Sequence, residues 1–170
     1  MARVPHHEAA GGTLAFSPFN LSDNYTTLSP DSPHFVPPAW SQREAVALFK
    51  AIAPAADEVT AQASDSIQFF GCGGNFERIL CSECANEIDA TWWGHRMHEE
   101  AGSGFPLLPL EMPCCRKRRT LNELIYQWPQ GFARFSLTAL NANIGDLSEG
   151  QKREFEQILG CRLRKILQRV

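Results

Sequence analysis

The clearest hydrophobic pattern in the chain is a strict alternation over 133–139, where every second residue is apolar. This alternation is typical of a strand with one buried face, so a strand is predicted there. Two shorter strand patterns occur at 67–70 and 76–80, on either side of a glycine-rich stretch that contains Cys72. We expect these two to pair as a hairpin, with the glycines forming the turn.

Apolar residues spaced three and four apart predict one helix on each side of these strands. Ser41 and Glu44 have the capping-box spacing and open a helix predicted over 41–53. Ser148 caps the second helix, and an apolar stripe continues from Phe155 to Val170. A long last helix over 148–169 is therefore predicted.

Two shorter helices are expected between the strands. One is capped by Asn86 or Asp89 and runs to about Ala101, before Gly102. The other starts at the capping-box residue Thr120 and ends near Trp128.

The N-terminal part of the chain is poor in charge and rich in proline, serine and asparagine. Residues 1–13 are predicted to be disordered, 14–16 to form a short strand, and 21–38 to be an extended loop, because four prolines forbid a helix there. Residues 14–170 are then expected to form a single α+β domain. Its small, mainly antiparallel sheet would be packed by the helices at 41–53 and 148–169.

Composition bounds the class of protein without identifying it. The 170 residues are 44% hydrophobic and 21% charged, as in an ordinary globular domain. No apolar run approaches 18 residues and the N-terminus lacks the pattern of a signal peptide, so neither a membrane span nor export is expected. The cytoplasm is the predicted compartment.

Charge is divided unevenly along the chain. Residues 1–115 contain 5 Lys and Arg against 14 Asp and Glu, a net charge of −9, whereas residues 116–170 contain 11 against 5, a net charge of +6. Either the two parts face each other in the fold, or one of them forms a charged surface for a partner.

Four of the six cysteines form two close pairs, Cys81-x2-Cys84 and Cys114-Cys115. Zinc prefers four tetrahedral ligands and thiolates suit it, so these four residues are the predicted ligands of a structural zinc ion. The module that contains them would be an insert at about 81–119. Neighbouring side chains of an extended chain diverge, so both cysteines of the second pair can reach one ion only if they lie in a turn. Arg116 follows this pair, where such a turn often has glycine.

Other ligand sets remain open at the level of sequence. Cys72 could replace one member of the second pair, or His95 and His98 could replace both, and the thiols could also bind no metal. Cys161 is interpreted as a small core residue.

A basic run, Arg116-Lys117-Arg118-Arg119, directly follows the second pair. A zinc ion held by four thiolates carries a net charge of −2, which this run would offset. The same residues, with the last helix, could instead contact the phosphates of a nucleic acid.

The segments Phe76–Ile79, Cys81–Cys84, Trp92-Trp93, Pro113–Cys115, Leu121–Leu124 and Gly131–Phe135 together resemble a group of uncharacterised bacterial α+β proteins with a zinc-ribbon-like insert. The similarity covers about 67–170. The module by itself is similar to zinc ribbons, whose metal is structural. This similarity implies a stabilising role for the four paired cysteines and no particular substrate.

The sequence therefore favours a zinc-stabilised, non-enzymatic cytoplasmic protein. It would be an accessory or toxin-neutralising protein that engages a protein partner through its acidic N-terminal part. A nucleic-acid-binding protein is the first alternative. A thiol or zinc enzyme is the second, because Cys81-x2-Cys84 also has the spacing of a redox pair.

Overall fold

Residues 23–170 are described by a computed structural model. The three α-helices of this part are α1 (Ala39–Ile52), α2 (Ala90–Ala101) and α3 (Glu149–Leu159). Its eight strands are β1 (Asn24–Pro30), β2 (Glu58–Phe70), β3 (Arg78–Leu80), β4 (Leu110–Glu111), β5 (Arg118–Arg119), β6 (Ile125–Gln127), β7 (Gly131–Leu140) and β8 (Leu163–Arg169). The predicted α+β class is confirmed.

The main sheet has the strand order β2-β7-β1-β8, and all its neighbours are antiparallel. Without the residues between β2 and β7, the chain runs β-α-β-β-α-β through β1, α1, β2, β7, α3 and β8. This connectivity and strand order are those of the ferredoxin-like arrangement. Residues 71–130 connect its second and third strands, and we call 75–130, which contain all four paired cysteines, the insert.

One face of the sheet is covered by α1 and α3. The alternation in β7 directs Phe135, Leu137 and Ala139 to this face, and all three are completely buried. Phe49 of α1 and Phe155 of α3 meet above them, with ring centroids 5.3 Å apart. The predicted antiparallel sheet packed by two main helices is thus confirmed, together with the buried face of β7.

The paired ends of β2 and β7 cross the opposite face of the sheet. The register of β2 against β7 shifts between Ala63 and Gln68, and beyond this irregularity the two paired strands bend over the sheet. Gly131 lies so close to β1 and β8 that a Cβ there would be 3.1 Å from both Ile166 Cδ1 and Ser29 Oγ. We call this bent end, 67–74 with 131–133, the arm.

The tip of the arm reaches the outer edge of β8. The N–H of Gly74 donates to the carbonyl of Arg169 at 2.8 Å. Gly73 has a φ of +58°, and a Cβ there would lie 2.2 Å from the same carbonyl oxygen, so only glycine fits. The arm therefore places the insert against the open face of the sheet.

A second buried cluster joins the insert to the arm. It contains Ile67 and Phe132 from the arm and Ile79, Ile88, Leu121 and Tyr126 from the insert. The phenol O–H of Tyr126 donates to the carbonyl of Leu121 at 2.7 Å and accepts the indole N–H of Trp93 at 3.2 Å.

The extended loop predicted over 21–38 is wrong over Asn24–Pro30, which forms β1, whereas 31–38 contains neither helix nor strand. This strand lies inside the sheet, paired with both β7 and β8. Its only large apolar residue in the buried part is Leu28, whereas Thr27 and Ser29 are buried under the arm. Polar residues buried on one face remove the alternation from which a strand would be predicted.

The predicted hairpin of 67–70 with 76–80 is also wrong. The first segment belongs to β2 and pairs with β7, whereas β3 pairs with β6. The glycines between them, at 71, 73 and 74, bring the chain to the end of β8, where Gly73 forms an isolated parallel bridge with Arg169.

The predicted last helix over 148–169 is wrong in its second half. The capping box of Ser148 and Gln151 is present, but α3 ends at Leu159 and Gly160 adopts a left-handed φ of 73°. Such a glycine ends a helix, and the chain continues as β8.

Two predicted helix starts also differ from the structure. The helix at 41–53 begins earlier, after Pro38, and the Ser41 hydroxyl donates to the Pro38 carbonyl instead of capping the helix. The capping box at Thr120 is present, but only the 3-10 turn Leu121–Glu123 follows, and then β6.

The Asp89 cap of α2 is confirmed, since its side chain accepts the N–H of Trp92 at 3.0 Å. The predictions of disorder at 1–13 and of a strand at 14–16 lie outside the described residues.

Candidate metal centre

The first cysteine pair lies in a tight turn directly after β3. The N–H of Cys81 donates to the carbonyl of Asn86 at 2.9 Å, and the N–H of Ala85 donates to the carbonyl of Cys81 at 3.0 Å. Ala85 closes the turn with a left-handed φ of 59°. Both thiols are thereby held on the same side of the turn.

The second pair lies in a matching turn between β4 and β5. Here the N–H of Met112 donates to the carbonyl of Lys117 at 2.8 Å, and the N–H of Arg116 donates to the carbonyl of Met112 at 2.9 Å. Arg116 takes the left-handed position, with a φ of 61°. The turn required for both neighbouring cysteines to reach one ion is thus present, with arginine where glycine was expected.

The two turns bring four sulfur atoms together. Cys81 Sγ lies 3.7 Å from Cys115 Sγ, and Cys84 Sγ lies 3.4 Å from Cys114 Sγ. All four lie within 4.8 Å of one another. A tetrahedral ion with Zn–S bonds of about 2.3 Å would place its sulfurs about 3.8 Å apart, so the set fits such an ion. The distances exceed a disulfide bond, and all six cysteines are free thiols.

The sulfur cluster is the outer end of the second hydrophobic cluster. Cys81 and Met112 are completely buried, and Cys84, Cys114 and Cys115 are half-buried against the same core. The side chains of Ile79 and Ile88 belong to the cluster on the side of the first turn. Apolar surroundings strengthen the attraction between thiolates and a cation.

The pKa values of Cys81, Cys114 and Cys115 show that these three thiols compete for negative charge. Burial raises the pKa of Cys81, but the N–H groups of Cys84 and Glu83 and the neighbouring thiols outweigh it and lower the pKa to about 7. Burial and hydrogen bonds with the other three thiols raise the pKa of Cys114 to about 12.

The N–H of Lys117 lowers the pKa of Cys115, but burial and hydrogen bonds with Cys81 and Cys84 outweigh it and raise the pKa. Cys81 is therefore the preferred thiolate. A bound cation would be needed to keep Cys114 and Cys115 deprotonated as well at neutral pH.

An ion pair joins the two turns. Arg119, in the strand leaving the second turn, donates to the carboxylate of Glu83 in the middle of the first turn. Glu83, Glu123 and the Cys81 thiolate all raise the pKa of the arginine. Arg118 donates to the carbonyl of Pro109 at 2.9 Å, while Arg116 and Lys117 are exposed. Half of the basic run is thus used within the insert.

The alternative ligands lie elsewhere. Cys72 is buried at the tip of the arm, and His95 and His98 are exposed on α2. None of these belongs to the group of potential ligands found among residues 23–170. Cys161 is half-buried and packs against the main core, and burial raises its pKa to about 11.

Sequence reasoning missed two contributors to this site. Met112 begins the second turn, and Glu83 is the partner of Arg119. The sequence does contain a signal for Met112. The segment Met112-Pro113-Cys114-Cys115 has the same length as Cys81-Ser82-Glu83-Cys84 and also ends in cysteine. No comparable local signal identifies the ion pair.

Comparison with known protein families, characterised proteins and solved structures found no significant match to the chain. Within residues 23–170, the helices are all too short or too polar to cross a membrane. The function is therefore inferred from the geometry of the residues themselves.

Proposed function

We propose that Cys81, Cys84, Cys114 and Cys115 bind one structural zinc ion and that the protein is a non-enzymatic cytoplasmic binding protein. The observation that carries this proposal is the closed set of four sulfurs within 4.8 Å of one another, presented by two turns of matching geometry. Catalytic zinc sites keep one position open for water or substrate, whereas four thiolates fill a tetrahedral site.

Zinc is favoured over other ions by the chemistry of the donors. Thiolates are soft ligands that select zinc, copper(I) or iron, and two short turns with tetrahedral sulfurs are typical of structural zinc. The ion would join two segments about thirty residues apart, and β4 with β5 forms a sheet of only two residues per strand. Its binding free energy would therefore contribute directly to the folding of the insert.

A protein partner is supported by the surface around α1. Trp40 is 60% exposed on its first turn, and an apolar recess beside it is lined by Val46, Val59 and Ala61. Glu44 and Glu58 are exposed in the same part of the chain, together with Arg43, which lines the recess. An exposed aromatic residue beside such a recess suits a partner with a partly apolar surface that carries charges of both signs.

Metal analysis of the purified full-length chain tests the zinc site. We expect about one zinc per chain in the wild type, and a marked loss in each of Cys81→Ser, Cys84→Ser, Cys114→Ser and Cys115→Ser. Cys161→Ser and Cys72→Ser are matched controls that should retain the ion. Metal-free protein with a reversible disulfide between Cys81 and Cys84 would instead favour a redox enzyme.

The partner surface is tested separately with a zinc-loaded variant. Trp40→Ala should keep its zinc but lose any protein that co-purifies with the wild type. If that protein is retained equally by both, the surface around α1 is not the interface.

A further inference from the structure

A groove of about 410 Å³ opens where the insert meets the sheet, and none of the four clustered cysteines lines it. The sheet contributes Tyr25 and Gln168, and the insert contributes Asn75 and Trp128. The third wall is the loop 141–146 between β7 and α3. Three separate parts of the chain thus converge on one concave surface, and its volume lies in the range of small-molecule sites.

Hydrogen bonds fix the walls of this groove. Asn75 Nδ2 donates to the carbonyl of Leu167 at 3.0 Å, which attaches the insert to β8. Asn141 Nδ2 donates to Asp57 Oδ2 at 2.8 Å and to Asp23 Oδ1 at 3.1 Å, which attaches the loop to the ends of two strands. The groove is therefore formed before any ligand arrives, and little ordering would accompany binding.

Trp128 is an exposed aromatic side chain in the wall of the groove. Its side chain is 40% exposed, yet its orientation is set by a hydrogen bond from Nε1 to Glu77 Oε1 at 3.1 Å. An exposed indole that is held in place offers a face for stacking by a planar ring.

The side-chain amides of Asn75, Asn143 and Gln168 line the same groove. Asn75 and Asn143 each use an amide N–H on a backbone carbonyl, of Leu167 and Ala55 respectively. Within residues 23–170, no hydrogen bond of the Gln168 side chain is found. Amide groups match the paired donor and acceptor edges of nucleobases.

The charge of the groove is close to neutral. Arg169 lies exposed at its rim, Asp146 is paired with Lys165 at 2.5 Å, and Glu77 is bonded to the indole. Such a surface gives little attraction for a phosphate and suits recognition of a neutral planar group.

We propose that this groove binds a nucleobase, stacked on Trp128 and contacted at its edge by the amides of Gln168, Asn75 and Asn143. The base could be carried by a free nucleotide or by single-stranded nucleic acid, since both present the same chemistry. This activity goes beyond the proposed structural zinc site and does not depend on which metal that site holds.

The test is a calorimetric titration of the full-length, metal-loaded protein with adenosine, guanosine, cytidine, uridine, AMP and a hexaribonucleotide of adenosine. We expect saturable binding of at least one nucleoside, and similar affinities for adenosine and AMP if adenine is accepted. Trp128→Ala should lower the affinity about tenfold or more. Trp128→Phe, which keeps a ring, should retain most of it, and Trp40→Ala should not change it.

The hexanucleotide distinguishes a free nucleotide from single-stranded nucleic acid as the carrier of the base. A hexanucleotide that binds more tightly than AMP assigns the site to a single strand, and equal affinity assigns it to a free nucleotide. No saturable binding by any of these probes would overturn the proposal, as would unchanged affinity in Trp128→Ala. Zinc content measured on the same samples keeps this result distinct from a failure of the metal site.

Discussion

Cys81 and Met112 hold the same position in two turns that have the same pattern of backbone hydrogen bonds. Cys81 directs its thiol to the sulfur cluster, whereas the fourth thiol comes from Cys114, two residues after Met112. Both first-position side chains are completely buried. The second turn therefore has the backbone of the first but takes a ligand from a different position.

Exchanging the donors of the second turn should preserve metal binding. We expect Cys114→Ser alone to lose most of its zinc, and the double variant Met112→Cys, Cys114→Ser to recover it, because the new thiol would stand where Cys81 stands in the first turn. Zinc stoichiometry is the measurement. The shorter side chain leaves a cavity, so the recovered protein should still be about 1–3 kcal/mol less stable than the wild type. Equal zinc loss in the single and double variants would contradict the equivalence of the two turns.

The ion pair between Arg119 and Glu83 should favour metal retention. Arg119→Gln removes a positive charge that is attached to the first turn, so zinc affinity should fall about two- to fivefold, as expected for a partly exposed pair. Arg118→Gln is the matched control, since Arg118 contacts only a backbone carbonyl. Competition with a chelator measures both variants. The role assigned to Arg119 fails if the two lose affinity equally.

Close packing of the arm should make Gly73 and Gly131 intolerant of a side chain. Gly73→Ala should lower the free energy of unfolding by about 2–5 kcal/mol, because of its positive φ and its contact with the Arg169 carbonyl. Gly131→Ala should cost about 1–3 kcal/mol, because Ile166 and Ser29 must move.

Gly94 of α2 is a control position outside the arm, because a side chain added there should stabilise the protein instead of destabilising it. Apart from its chain neighbours and the nearby backbone of α2 itself, no atom lies within 4 Å of a Cβ built there, so Gly94→Ala should stabilise the protein by about 0.5–1 kcal/mol. Denaturant unfolding measures all three variants. A similar cost at all three glycines would contradict the described position of the arm.

Glu100 should make stability depend on pH. Burial raises the pKa of its carboxyl group, and the N–H groups of Leu107 and Leu108 lower it only in part. The folded state therefore favours the protonated acid. Its stabilising contribution is complete below the pKa of the unfolded chain and is lost as the pH rises through the raised pKa of the folded chain.

The variant Glu100→Gln removes this titration while keeping an oxygen that can accept the Leu107 N–H. Its gain in unfolding free energy over the wild type should be larger at pH 8 than at pH 5. Glu99→Gln, which removes an exposed neighbour paired with Arg96, should show no such increase. An equal effect of pH on both variants would exclude the buried carboxyl as the cause.

The sequence by itself determined the features that depend on local periodicity or on ligand spacing. The alternation in β7 predicts a strand because every second side chain enters the same core. Ser148 is predictable as a cap, and Asp89 as one of two candidates with Asn86, because a side chain and a backbone N–H three residues apart are sufficient to form a cap. The two cysteine pairs are predictable as one set because few roles other than metal binding place four thiols in this way.

Only the tertiary structure decided what the arm covers. The apolar residues from Phe155 to Val170 fit a helical period throughout, yet Leu163 and Ile166 lie in β8 and point to opposite faces of the sheet. Both are buried, because the helices cover one face and Gly131 of the arm covers the other. Thr27 and Ser29 in β1 are buried under the same arm, so the strand lacks an apolar alternation. The bend that places the arm there depends on contacts between residues more than thirty positions apart, which no local pattern records.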